Sequence, residues 1–323
     1  MDRNGHIPIF WGYSCRVLPQ IYLQRIHDWL ETTVKITNKF NLPQTFVNVL
    51  SRPTYTKGKA HLSVTELINS PRIVQLKNTH YEELEEDVAD KVWAIFGTAI
   101  HAVLELGKDE NHVIEQRLHA ELDGWNISGA VDLQRIEPDG IVVSDYKTTG
   151  AWGVMNEKIE WEQQLNIYAW LVERVKKTPV KKVEIIAIIR DWSRRDAQNK
   201  EGYPEAPIKV IDVPLWSYKE RENFIKERIR LHSDALFASE TGEDLPFCTP
   251  EQMWEKATYY AIRKTGGKRA TAVCDTKEEA DKKLSDLGKD YEVEVRLGER
   301  TRCANFCLVR DFCDQWKNFN QGE

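Results

Sequence analysis

The chain has 323 residues, 41% of them hydrophobic and 30% charged, with 45 basic against 51 acidic side chains and a net charge of −6. Such a composition excludes a disordered, collagen-like or low-complexity chain, and the length fits one enlarged domain or a core with appendages. No uncharged apolar run approaches the roughly 18 residues a membrane helix needs. No general coat of positive charge is present either, although a basic groove on an acidic body would still serve a nucleic acid.

Met1-Asp2-Arg3-Asn4-Gly5 leads into no secretion-type apolar stretch, so the expected location is cytoplasmic. There the six cysteines are more readily free or metal-bound than disulfide-bonded. Residues 17–40, with Ile21, Ile26, Trp29, Leu30, Val34 and Phe40, read as an amphipathic helix. Residues 42–59, with Pro43, Pro53 and Gly58, read as a connector with a short apolar stretch. Ser63-Val64-Thr65-Glu66 has the form of a capping box. The acidic stretch Glu82, Glu83, Glu85, Glu86, Asp87 and Asp90 reads as a solvated face or loop, and helical spacing resumes over 93–106. Residues 113–122, 125–136 and 141–147 alternate with period two, separated by Gly124 and by Pro138-Asp139-Gly140, and predict a three-strand meander. A helix over 157–175, strands over 183–189 and 208–213, and a long amphipathic helix over 217–236 complete a mixed α/β body. Beyond it, 259–263 and 269–273 flank Thr265-Gly266-Gly267-Lys268 as a hairpin, followed by a helix over 276–287 and a strand over 291–295.

Four groups of residues could carry chemistry. In Ser144-Asp145-Tyr146-Lys147-Thr148, Asp145 and Lys147 leave the same face of a strand, where an acid and an amine can hold a divalent cation and its water or simply form a surface ion pair. Asp132, in Gly129-Ala130-Val131-Asp132, lies on the preceding strand, and neighbouring strands are about 4.8 Å apart. Two carboxylates that close repel unless a proton or cation separates them, and oxygen ligands of this kind suit Mg²⁺ or Mn²⁺. Gly97-Thr98-Ala99-Ile100-His101 places His101 on a helix, one turn before Glu105, and Gln164 and Tyr168 are one turn apart on another.

Taken in order, Gly97…His101, Gly129…Asp132, Asp145…Lys147 and Gln164…Tyr168 resemble the PD-(D/E)XK nuclease superfamily, specifically its RecB-like branch, over roughly residues 61–190. Leu42-Pro43, Ser63-Val64-Thr65-Glu66-Leu67 and Ser70-Pro71-Arg72 resemble the lead-in of bacteriophage-encoded members, and CRISPR spacer-acquisition nucleases share this core. The resemblance implies a restriction-endonuclease-like α/β core, with a mixed sheet flanked by helices. It further implies that His101, Asp132, Asp145 and the Tyr146 carbonyl bind Mg²⁺ or Mn²⁺. Lys147 would orient or deprotonate the attacking water, and Gln164 and Tyr168 would support the site or touch the DNA backbone. Glu115 is a further acidic candidate on the first strand of the meander.

The spacing Cys303-x3-Cys307-x5-Cys313 calls for a fourth ligand, for which Cys248 is preferred over Cys15 and Cys274. Several RecB-like nucleases staple their C-terminal segment with a four-cysteine [4Fe–4S] cluster. Their first cysteine precedes the histidine motif, where this chain has Ile68-Asn69-Ser70-Pro71, so Zn²⁺ on the same thiolates stands beside the cluster as an alternative. Lys256, Arg263, Lys264, Lys268 and Arg269, interleaved with Tyr259 and Tyr260, could form a single-strand platform or a hydrated hairpin. Arg190, Arg194 and Arg195 with Trp192 could edge the cleft. The expected domains are an N-terminal helical extension (1–60), a nuclease core (61–247), and a C-terminal hairpin and helix insert with the cysteine cluster (248–323). The expected activity is cation-dependent hydrolysis of DNA, by an exonuclease of phage recombination, repair or processing with a possible helicase or recombination partner. The alternatives are a flap or branched-DNA endonuclease and a catalytically silent DNA-binding or assembly subunit.

Overall fold

The computed structural model describes residues 34–52, 57–107, 109–156 and 158–320. These fall into two compact units, one of residues up to 71 together with 81–245, the other of residues 72–80 and 246 onward.

The first unit is built on six strands: β1 (Leu62–Ser63), β2 (His112–Leu122), β3 (Trp125–Glu137), β4 (Gly140–Thr149), β5 (Val180–Ile189) and β6 (Ile208–Val213). Between β2 and β3, Asp123 and Gly124 both take positive φ (48° and 81°), the two-residue turn whose twist matches the strands it joins. The order across the sheet is β1-β3-β4-β5-β6, with β2 on the other edge of β3. Along one edge, β3 therefore changes partner. Its start pairs in parallel with β1 (Leu62 with Ile127), and its end pairs antiparallel with β4 (Leu133 with Ser144 onward). The changeover spans residues 129–132. Beyond β4 the sheet continues in parallel to β5 and then antiparallel to β6.

Three long helices accompany this sheet: α1 (Val92–Leu104), α2 (Ile159–Lys176) and α3 (Tyr218–Thr241). Residues Leu165 to Val172 of α2 are all buried, because the helix packs against the sheet on one side and α3 on the other. Ser217 and Glu220 form a capping box at the start of α3, and Gly242, at φ 75°, closes its end in the left-handed conformation. Ser63 and Glu66 do the same for the short helix Val64–Ile68, whose C-terminal carbonyls Leu67 and Asn69 accept from the Arg228 guanidinium of α3. The buried His232 of α3 bonds the Leu67 carbonyl as well, through Nε2 at 3.1 Å.

Several expectations need correction. Most of the helix read over 17–40 lies outside the described residues, and what is described is a strand, Lys35–Thr37, paired in parallel with Glu85–Asp87. β-Branched Ile36 and Thr37 and the Lys35–Glu85 ion pair favour that pairing. The acidic stretch is correspondingly not all solvated. Asp87 is buried and accepts from the Thr37 hydroxyl and the backbone N–H groups of Lys39 and Ala89. The connector over 42–59 contains a helix, Gln44–Leu50, which follows Pro43 in an extended conformation.

In the second unit, β7 (Tyr259–Lys264), β8 (Ala270–Cys274) and β9 (Tyr291–Arg296) form an antiparallel sheet in the order β8-β7-β9. Helix α4 (Lys277–Leu287) packs on it, burying Ile262, Cys274 and Ala280 in a small core. The hairpin's basic character is partly neutralised within the unit. Arg263 pairs with Glu292 and Glu294 of β9 at 2.9 and 2.8 Å, and Lys256 pairs with Glu299 at 2.6 Å. Among the described residues no helix is long and apolar enough to cross a membrane.

Candidate active site

The changeover in β3 is where the acidic side chains meet. The β2–β3 ladder pairs Ile114 with Leu133 and Gln116 with Val131, so Glu115 stands opposite Asp132, and ladder pairing lapses at that one position. On the other side the β3–β4 ladder ends at Leu133 and Ser144, so the next residues in register are Asp132 and Asp145. Residues directly opposite in antiparallel strands share a face. Glu115, Asp132 and Asp145 thus form a row of three carboxylates across three strands, where the sheet has opened. Glu115 reaches its place with a left-handed backbone, φ 49°, which costs an L-residue about 1–2 kcal/mol.

Two cationic side chains flank the row. Lys147, two residues along β4 from Asp145 and therefore on the same face, holds Asp145 Oδ2 at 2.6 Å. His101, near the end of α1, places Nδ1 at 2.8 Å from Glu115 Oε1, and its Nε2 at 3.4 Å from the Tyr146 carbonyl and 3.7 Å from Asp132 Oδ2. That same Asp132 oxygen accepts the Tyr146 backbone N–H at 2.8 Å. Ligand atoms of His101, Glu115 and Asp132 lie within 4.8 Å of one another, close enough to hold a metal ion. Asp145 lies beside this group, drawn to Lys147.

The electrostatics follow from burial and from the acidic row. Burial, reinforced by the Asp145 charge, pushes the Asp132 carboxyl up to about 7. The hydrogen bond to Glu115, aided by the Asp132 charge and opposed by burial, pushes the His101 imidazole up to about 9. Without a metal ion, the His101 proton provides the positive charge that the neighbouring carboxylates require. A divalent cation satisfies the same demand, so the donor set fits the hard, oxygen-rich coordination of Mg²⁺ or Mn²⁺ with one nitrogen added.

The other motif residues support this arrangement. A Cβ on Gly129 would lie 2.7 Å from Tyr168 Cε1 and 2.9 Å from methyls of Leu171 and Val64, so only glycine lets α2 come this close to β3. Tyr168 is buried there, and its hydroxyl accepts from Gln164 Nε2 at 2.8 Å. Tyr168 therefore packs against β3 at Gly129, on the face opposite Asp132. At Gly97 the nearest atom to a Cβ would be Thr148 Oγ1 at 3.7 Å, an ordinary contact, so space alone does not require that glycine. Glu115, a further acidic candidate in the sequence, stands in this row. The available signal was an acid between Ile114 and Gln116, whose register on the first strand sets it against Asp132.

In the second unit Cys248, Cys303, Cys307 and Cys313 line one hollow, along with Arg72 and Arg302. Burial and the three neighbouring thiols push Cys303 up to about 11. The buried Arg72 donates from Nε to Cys313 Sγ at 3.3 Å and pairs with Asp314. Gln315 bonds both backbone groups of Cys248, at 2.8 and 3.0 Å. Among the described residues the thiols form no group as tight as that of His101. Cys274 belongs to the core under α4, and Cys15 lies outside the described residues.

The mixed sheet, with its acidic row opened at a change of strand partner, defines an α/β core carrying a site able to hold a divalent cation. The PD-(D/E)XK nuclease superfamily model matches residues 25–314, and the chain belongs to that superfamily, which implies a metal-dependent nuclease with a restriction-endonuclease-like core. No curated protein matches the sequence. Among solved structures, SSO0001 is similar at 22% identity and a TM-score of 0.38, over 58% of this chain and 82% of that one. A candidate exonuclease from Eubacterium rectale is similar at 15% identity and a TM-score of 0.27, over 49% of this chain and 58% of that one.

Proposed function

We propose that this chain hydrolyses phosphodiester bonds of DNA as a divalent-cation-dependent exonuclease. The observation carrying this reading is the row Glu115–Asp132–Asp145, flanked by the His101 imidazole on one side and the Lys147 ammonium on the other. The Asp132 and Asp145 carboxylates, His101 Nε2 and the Tyr146 carbonyl would hold the cation, with Glu115 as either a further ligand or the group fixing the ring. When bound, Mg²⁺ or Mn²⁺ lowers the pKa of a coordinated water and offsets the charge growing on the phosphate.

The chain's own residues do the rest. By accepting from Nδ1–H, Glu115 directs Nε2 at Asp132 and the cleft, where its lone pair would serve a cation once the Nε2 proton is displaced. Asp145 holds Lys147 within 2.6 Å, so the ammonium stands ready to orient the attacking water and meet a non-bridging phosphate oxygen. Tyr168 and Gln164 fix β3 from behind. The nitrogen donor favours Mn²⁺ activity at least equal to that with Mg²⁺.

The four cysteines around one hollow support a structural [4Fe–4S] cluster, and tetrahedral Zn²⁺ is the competing assignment. Processing of phage DNA is the setting the motif pattern suggests. The test is digestion of end-labelled linear and circular single-stranded DNA with Mn²⁺, with chelator, and with the Asp132→Asn variant. Mn²⁺-dependent loss of the linear form only, absent in the variant, is expected. Cleavage of the circle would make the chain an endonuclease, and no cleavage of any form would remove the enzymatic reading.

A further inference from the structure

Around the opened end of β4, the first unit carries a group of side chains that the hydrolytic site leaves unused. Trp93 and Phe96 begin α1, with 57% and 54% of their surfaces exposed and their rings 5.6 Å apart. Trp93, Gly97 and His101 are spaced by four residues and so share one helix face, which leads from Trp93 toward the acidic row. Eight residues of helix put Trp93 about 12 Å along the axis from His101.

The end of β5 meets the start of that stripe. Arg190 is exposed, follows β5 and lays its guanidinium 4.3 Å over the Trp93 ring, while its backbone N–H donates to the Thr149 carbonyl at the end of β4. A second cation stands close by. A Cβ on Gly153 would lie 2.5 Å from Thr149 Oγ1 and 3.0 Å from Lys158 Nζ, which places that amine against the end of β4. Burial lowers the Lys158 pKa; the Glu160 charge opposes this, and the Arg190 and Lys147 charges add to it, so all three lie near that amine. The nearby Asp191 carboxylate accepts the Ala151 N–H at 2.7 Å and offsets part of this charge.

Lys158 and Arg190, next to the site's own Lys147, therefore add cations beside a negatively charged site and lead to an exposed indole backed by a guanidinium. An anionic strand with flat, unpaired rings matches that sequence of groups. Phosphates meet the cations, and a base stacks on the exposed surface of an indole that a guanidinium already backs. A base inside a duplex has both faces covered by its neighbours and cannot use this platform.

We propose, resting on the nuclease reading above, that Trp93 and Arg190 form a base-stacking subsite that selects single-stranded DNA beside the scissile phosphate. Trp93 acts as a positioning residue. The test is fluorescence anisotropy, in chelator, with a labelled oligothymidylate and a blunt duplex of equal length, comparing the wild type with Trp93→Ala and Trp93→Phe. Trp93→Ala should weaken the single strand about tenfold and leave the duplex unchanged, and Trp93→Phe should restore most of the loss. With Mn²⁺ added, Trp93→Ala should raise KM for the single strand with little change in kcat. An unchanged single-strand Kd, or an equal loss on the duplex, overturns the subsite. Absence of cleavage by the wild type, with Trp93-dependent binding intact, overturns the nuclease reading instead.

Discussion

Glu115 occupies a left-handed backbone position in the middle of a strand, and this makes a reversal of a familiar substitution order measurable. At an ordinary strand position glycine is less stable than alanine by roughly 0.5–1 kcal/mol, because the unfolded chain gains freedom. At φ 49° alanine keeps the left-handed cost of about 1–2 kcal/mol and glycine does not. Glu115→Ala and Glu115→Gly both lose the bond to His101, a pair with 29% of each side chain exposed and worth roughly 0–1 kcal/mol. That loss cancels in the comparison. Glu115→Gly should therefore be more stable than Glu115→Ala by about 1 kcal/mol and close to the wild type, measured by urea unfolding in chelator. Both should bind Mn²⁺ more weakly, because the carboxylate is gone in each. A glycine variant less stable than the alanine variant would refute the claim that this backbone is strained to deliver an acid to the site.

Gly129→Ala should cost about 1–3 kcal/mol, since the new methyl meets Tyr168, Leu171 and Val64 together; a thermal midpoint equal to the wild type would show that α2 can withdraw. Burial, with the Arg228 charge adding to it, lowers His232 from 6.5 to about 4. Between those values the unfolded chain takes up a proton that the folded chain refuses, so this stability is full above about pH 6.5 and is lost as pH falls toward 4. The loss is about 3 kcal/mol in all. Urea midpoints should fall more steeply with acid in the wild type than in His232→Gln, and parallel curves would contradict this. Lys147→Ala should lower kcat by about 10²–10³ with DNA affinity nearly kept, read from steady-state digestion and anisotropy; loss of folding would make Lys147 structural. Cys307→Ala should bleach any visible absorbance and loosen the second unit, whereas colourless wild-type protein with stoichiometric zinc would assign Zn²⁺ to the thiols.

Much of the site was legible because strand periodicity is strict. Once 113–149 is read as a meander, Asp145 and Lys147 must share a face and Asp132 must lie on the adjacent strand. The turns at Asp123-Gly124 and Pro138-Asp139-Gly140 fix that register locally. What stayed hidden depends on tertiary pairing. The helix Gln44–Leu50 is too short to show a period, and the strand Lys35–Thr37 exists only because Glu85–Asp87 lies beside it. The change of partner along β3, which opens the sheet at Asp132, belongs to no local pattern, since it depends on where β1 and β4 dock. The same holds for Glu115, whose twisted backbone is visible only once its neighbours are in place. Arg263 of the hairpin read as available to a single strand or to water because its partners, Glu292 and Glu294, come from a strand about thirty residues away.

Calorimetric titration of Mn²⁺ into chelator-stripped protein, comparing wild type with Asp132→Asn, bears most directly on the acidic row as a cation site. The wild type should take up Mn²⁺ stoichiometrically, and the variant, with its far-UV spectrum unchanged, should bind at least tenfold more weakly. Equal affinity in the two proteins would place the cation elsewhere and contradict the account.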